Sequence, residues 1–126
     1  FKFRLLTHKK YLIRSSFIKE STCLNQEPLM FQGVSSNVRI PVNVSGNGIE
    51  LSVLKKSEKE DCWIVRVAET NGRNSTGTLT LSGLITECNL IEWDDIGESV
   101  NVNNDFDLDL APFEIKTFKI HQLKLD

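Results

Sequence analysis

The stretch "IELSVLKKSEKEDCWIVRVAE", Ile49 to Glu69, contains the pattern that decides the fold. Apolar residues occupy every second position in its first part, from Ile49 to Val53, and again from Trp63 to Val67. A period of two places successive side chains on opposite faces of a strand, so each part predicts a strand with one buried face and one face in water. The charged run Glu58 to Asp61 between them is typical of a turn. The stretch therefore predicts two successive strands joined by a turn.

The same period of two recurs along most of the chain. Further alternating runs are Phe1–Leu5, Val38–Val44, Thr78–Leu81, Val100–Val102 and Phe106–Leu110. Clusters rich in Asn, Gly, Ser and Asp separate many of the runs, namely Ser45–Gly48, Asn71–Asn74 and Asn103–Asp105. Strands that recur about every ten residues with such turns are typical of an antiparallel sandwich or barrel. We therefore expect an all-β fold, an antiparallel β-sandwich.

One segment, His8 to Asn25, fits neither the strand period nor the helix period. Ile13 and Phe17 would share one face of a helix, but two serines between them and the β-branched residues lower the helix propensity. We interpret the segment as a long connection with one short helical turn near residues 9–20.

The last strand, "LAPFEIKTFKI" from Leu110 to Ile120, changes phase. Its inward-pointing set shifts by one position between Ile115 and Phe118, which predicts a β-bulge or a strand that changes partners there. Pro112 cannot donate a hydrogen bond to a sheet, so it suits the beginning of a strand or a sheet edge.

Length and composition indicate one globular domain. The chain has 126 residues, of which 40% are hydrophobic and 25% charged, and this length is enough for a single core. We expect a single β-sandwich domain over residues 1–126, with a connecting strand and strap in 1–30 and the main sandwich in 31–126. Because the chain begins with Phe1 rather than Met, we also expect it to be a piece of a longer protein.

Charge and cysteine usage restrict the partners and the compartment. The 15 basic residues are scattered among 17 acidic ones, so we expect neither a nucleic acid nor a membrane as partner. No apolar run approaches the roughly 18 residues that span a bilayer. The three cysteines, an odd number, favour reduced thiols and a cytoplasmic location.

Motifs for metal binding or catalysis are missing from the sequence. The two histidines, His8 and His121, do not stand at a metal-ligand spacing. A calcium loop starting at Asp105 is excluded, because its sixth position is Leu110 instead of Gly and its twelfth is Lys116 instead of Glu. No nucleophile elbow, phosphate loop or hydrolytic triad can be assembled. We expect no catalytic residue, no metal ligand and no cofactor in this chain.

The carboxylates Asp94 and Asp95, which follow Glu92, are candidates for a glycosidase acid and nucleophile. Such enzymes need two carboxyl groups about 5 to 10 Å apart on either side of the scissile bond. Neighbouring side chains in an extended segment point to opposite sides, which argues against this pair.

Three aromatic residues could instead stack on the apolar face of a sugar ring: Tyr11, Trp63 and Trp93. Trp63 alternates in phase with Val65 and is assigned to the core. Trp93 follows Leu90–Glu92 at a predicted strand end, where it could belong to the core or to a binding face, and we take it as the candidate carbohydrate contact.

Residues 50–120 resemble the C-terminal β-sandwich region of glycoside hydrolase family 38, the α-mannosidases. Ile64–Glu69 is similar to the family's "ILR(L/V)xE", Asn89–Glu92 to a strand ending in "NLLE", and Pro112–Phe118 to "PFEIKTF". The opening "FKFRLLTH" and the later Asn25 with Pro28-Leu29 resemble segments further upstream in such enzymes. The resemblance thus covers nearly the whole chain in the expected order.

This resemblance implies a division of labour. The parent chain would hydrolyse terminal α-D-mannose residues with retention, with its carboxylate nucleophile and zinc ion in an N-terminal domain that this chain does not contain. The expected partners are the catalytic domain of the same chain, a second copy in a homo-oligomer, and a mannoside through the parent. An independent carbohydrate-binding module and a protein-interaction sandwich remain as alternatives.

Overall fold

The computed structural model describes residues 3, 5, 7, 14–26, 32–33 and 41–124. The chain divides into two compact units, residues 1–38 and residues 39–126. The expected division after residue 30, within a single domain, stays a prediction. No helix in the described part is long and apolar enough to cross a lipid bilayer.

Among the described residues of the first unit there is one helix, α1, Arg14–Asn25, of 12 residues. The sequence predicted only a short helical turn near residues 9–20, so the helix is longer and ends later than expected. The hydroxyl of Thr22 donates to the carbonyl of Ile18, one turn earlier in the helix, at 2.9 Å, so this polar side chain finds its partner within the helix. Phe3 and Leu5, expected in an opening strand, are exposed and lie outside any strand.

The second unit is a β-sandwich of two antiparallel sheets, as the sequence predicted. Its strands are β1 Asn43–Gly46, β2 Ile49–Lys56, β3 Trp63–Glu69, β4 Ser75–Thr80, β5 Gly83–Cys88, β6 Val100–Val102, β7 Asp105–Leu110 and β8 Ile115–His121. One sheet has the order β1-β4-β7 and the other the order β2-β3-β8-β5-β6. Val38 and Ile40, from the run predicted before β1, lie outside the described residues.

Apolar side chains from both sheets form one core. The larger sheet contributes Val65, Val67 and Phe118, and the smaller sheet contributes Leu79, Leu110 and further buried residues. The ring of Phe118 meets that of Phe106 edge to face, with centroids 5.6 Å apart. Burying each large side chain of this kind stabilises the fold by about 1.5–3 kcal/mol. Trp63 is partly buried and packs against the same core.

A β-bulge interrupts the pairing of β2 with β3. Leu51 lies opposite Val67, but Val53 lies opposite Arg66, so Ser52 is the extra residue. The bulge turns the side chain of Val53 to the face opposite that of Leu51. The expectation that Leu51 and Val53 share a face is therefore wrong.

The phase change near the last strand has a different origin from the one predicted. Strand β8 pairs with β3 without a register shift over the whole of Ile115–Ile120, and Ile115 is 51% exposed. The chain instead leaves the smaller sheet after Leu110 and enters the larger one at Ile115. Between them Phe113 has a φ of 60°, a left-handed conformation that bulky residues rarely adopt.

Candidate functional site

The outer face of the five-stranded sheet carries most of the candidate chemistry. Strands β3 and β8 lie next to each other there, and their buried residues include polar ones on this face, Thr117 and Lys119. Because Val65 and Val67 point into the core, the alternation of β3 places Ile64 and Arg66 on the outer face. We call this surface the outer face.

The loop between β5 and β6 is attached to the outer face through Arg66. Its guanidinium donates to the carbonyl oxygen of Leu90 at 2.8 Å, to Glu92 at 2.9 Å and to the Thr117 hydroxyl at 3.1 Å. Lys55 forms a second ion pair with the Glu92 carboxylate, at 3.0 Å. Glu92 therefore serves as an anchor for the loop.

Asn89 shapes the beginning of the same loop. Its amide nitrogen donates to the Asp94 carboxylate and its side-chain oxygen accepts from the backbone N–H of Trp93, both at 2.9 Å. Glu92, which lies between Asn89 and Trp93 in the sequence, has a φ of 65°, a left-handed backbone conformation. The resemblance to "NLLE" implied that Asn89–Glu92 ends a strand. Strand β5 instead ends at Cys88, and Asn89–Glu92 forms a turn.

Lys119 joins this loop to the β2–β3 turn. Its ammonium group lies 2.7 Å from Glu60 and 3.0 Å from Asp95, while the side chain is only 3% exposed. The hydrogen bond that Lys119 donates to Glu60 and its contact with Asp95 raise the pKa of Lys119 against the opposing effect of burial. Asp95 and Asp94 are thus both engaged in holding the loop, and the argument against a glycosidase pair stays a prediction.

Trp93, the candidate carbohydrate contact, is 60% exposed on this loop. It borders a cavity of about 330 Å³, together with Ile91, Glu92 and the β2–β3 turn. The ammonium of Lys59 lies 3.2 Å from the centroid of the Trp93 ring. A sugar stacking on the covered face would have to displace this ammonium. A role of Trp93 in sugar binding stays a prediction, and Tyr11, another aromatic candidate, lies outside the described residues.

Three potential metal ligands lie close together beside Lys119, which binds one of them: Glu60, Cys62 and His121. One ligand atom from each lies within 4.8 Å of the others. Cys62 is buried, and burial raises the pKa of its thiol, while a hydrogen bond with Ser57 acts in the opposite direction. The sequence search missed this group, because it examined spacing along the chain and these residues are brought together by strand pairing.

A buried carboxylate, Glu69, lies at the end of β3. It accepts hydrogen bonds from the backbone N–H groups of Asn71, Gly72, Arg73 and Phe113 and from the Ser75 hydroxyl. Burial acts to raise the pKa of Glu69, but these donors outweigh it and lower the pKa to about 2. The bond to Phe113 also holds the strained crossing between the two sheets.

Comparison with known protein families identifies the sandwich. The family described as glycosyl hydrolases family 38 C-terminal beta sandwich domain matches residues 48–118, more than half of the chain. A search of curated proteins with this chain found no match. The matched range runs from the start of β2 into β8 and contains Arg66, Glu69 and Glu92, whereas Lys119 and His121 lie just beyond its end. The chain belongs to the family of C-terminal β-sandwich domains of glycosyl hydrolases family 38.

Proposed function

We propose that this chain is the non-catalytic C-terminal sandwich of an α-mannosidase-like enzyme whose parent chain hydrolyses terminal α-D-mannose residues with retention. Its task is to provide a packed scaffold for the catalytic domain of that parent. The family match over residues 48–118 is the observation that carries the proposal.

The contacts between the three family-like motifs support a structural role. Arg66 of the first motif binds Glu92 of the second at 2.9 Å. Glu69 of the first motif binds the backbone N–H of Phe113 in the third at 2.9 Å. The polar residues of these motifs therefore hold strands and loops to one another.

In this proposal the reaction takes place in the catalytic domain. The nucleophile and the zinc ion belong to that domain of the parent chain, and a second copy of the chain is a further candidate partner. All three cysteines of the chain are free thiols, which supports a reducing compartment such as the cytoplasm.

An activity assay tests the division of labour. The 126-residue chain and the full-length parent are each incubated with an aryl α-mannoside, with and without a chelator. We expect turnover by the parent that the chelator abolishes, and none by the 126-residue chain. Turnover by the short chain alone would overturn the proposal.

Sugar binding is a second candidate function, favoured by the exposed Trp93 beside the 330 Å³ cavity. Calorimetric titration with mannose oligosaccharides tests it. Saturable binding should disappear in Trp93→Ala and persist in Ile96→Ala, which removes another exposed apolar side chain of the same loop. Absence of binding, or equal binding by the two variants, would leave the scaffold role alone.

A further inference from the structure

We propose that Glu60, Cys62 and His121 form a binding site for a divalent metal ion of the zinc type. The proposal goes beyond the scaffold role and does not depend on it. The family match does not account for this site, because the matched range ends at Phe118, before His121.

The backbone holds the three residues together. Trp63, the first residue of β3, pairs with Ile120 of β8, and this brings Cys62, just before β3, close to His121, the last residue of β8. The N–H of Cys62 donates to the carbonyl oxygen of Glu60 at 2.9 Å, and its own carbonyl accepts from Ser57 at the same distance. This tight turn fixes Glu60 close to the end of the strand pair. His121 is thus the last residue of β8, Cys62 immediately precedes β3, and Glu60 lies on the turn that leads into Cys62.

The distances are close to those of a bound metal site. Zinc lies about 2.0–2.3 Å from nitrogen, oxygen and sulfur ligands, so two ligand atoms of one tetrahedral ion are about 3.3–3.8 Å apart. The three ligand atoms here lie within 4.8 Å of one another. A shift of about 1 Å closes the set. The Glu60 side chain is 40% exposed on a turn and has room for a movement of this size.

The ligand types select the class of metal. A thiolate sulfur, an imidazole nitrogen and a carboxylate oxygen suit zinc, whereas magnesium and calcium require sets of oxygen ligands. Binding replaces the proton of the Cys62 thiol, which passes to the solvent. Three protein ligands leave a fourth tetrahedral position for water.

The charges around the site are compatible with a dication. Glu60 already binds Lys119 through Oε1, but a carboxylate has two oxygens and can bond to two partners. Lys119 is also paired with Asp95 at 3.0 Å. With the metal bound, the thiolate and the Glu60 carboxylate balance its two positive charges, and Asp95 balances Lys119.

Titration of the 126-residue chain with ZnCl₂ by calorimetry tests the proposal. We expect one ion per chain, and an affinity at least about tenfold lower in Cys62→Ser and in His121→Gln. Cobalt(II) should produce a thiolate-to-metal charge-transfer band that Cys62→Ser abolishes. The matched controls Cys23→Ser, at an exposed thiol, and His8→Gln, at the other histidine, should bind zinc like the unaltered chain.

Three results would overturn the site: no zinc binding, unchanged binding in His121→Gln, or loss of binding in Cys23→Ser. Circular dichroism of each variant shows whether it is folded. Should the buried Cys62→Ser variant fail to fold, His121→Gln decides the question, because His121 is only partly buried. The cobalt spectrum of His121→Gln then reports whether the thiolate still binds a metal without its imidazole partner.

Discussion

The two faces of the five-stranded sheet are held by different forces. On the inner face, Val65, Val67 and Phe118 pack against the smaller sheet in one apolar core. On the outer face, Arg66 and Lys119 bind carboxylates supplied by two loops. The inner face therefore holds the sheets together, and the outer face fixes the loops on which a functional site could be built.

This difference predicts where substitutions act. Loss of a core side chain removes packing that no other group can replace, whereas the outer carboxylates are partly exposed and can be hydrated in place of their cation. We expect the cost in unfolding free energy to fall from the inner face to the outer face.

Phe118→Ala should produce the largest effect. Phe118 is 1% exposed, and truncating a buried Phe costs about 3–5 kcal/mol of unfolding free energy because a cavity remains. Urea denaturation followed by circular dichroism measures it. The matched control is Ile115→Ala on the same strand, at a half-exposed position, where we expect a change of about 0.5 kcal/mol or less. Similar costs for the two variants would contradict the assignment of the faces.

The inner face was also the part most readily predicted from the sequence. The alternation of Trp63, Val65 and Val67 placed β3 and its buried side correctly, because a period of two is a local property of a strand. The bulge at Ser52 was missed since it depends on the pairing of β2 with β3. Strand β5 was absent from the alternating runs; both Ile85 and its neighbour Thr86 are buried, so its pattern does not alternate cleanly.

The outer face could not be predicted in the same way. Cys62 and His121 are far apart in the sequence and meet only because β8 lies beside β3. The ion pair of Arg66 with Glu92 likewise depends on a loop that crosses back over the sheet. The chain contains many residues that could bind a metal or a counter-ion, and a single sequence does not say which of them become neighbours. Trp93 could be predicted as a candidate sugar contact because that prediction needs only the residue type and not its neighbours in the fold.

Glu69→Gln should have the second-largest effect on stability, and the size of that effect should depend on pH. The Glu69 pKa of about 2 lies below the ordinary value of 4.5, so the ionised group stabilises the folded chain fully above about pH 5 and less as the pH falls toward about 2. We expect Glu69→Gln to lower the urea midpoint at neutral pH, and the difference from the unaltered chain to shrink in acid. Glu98→Gln, at an exposed position, is the control. A difference that stays constant with pH would contradict the role of the charge.

Lys119→Met should have a smaller effect, about 1–2 kcal/mol of unfolding free energy, below the 3–5 kcal/mol typical of breaking a fully buried pair. The reason is that its partners Glu60 and Asp95 are 40% and 55% exposed and become hydrated once the ammonium is gone. Lys56→Met is the matched control, since Lys56 pairs with Asp61 at the surface and should change stability by less than about 1 kcal/mol. Urea denaturation of both variants measures the difference. If Lys119→Met cost as much as Phe118→Ala, the outer face would hold the sandwich together as strongly as the core does.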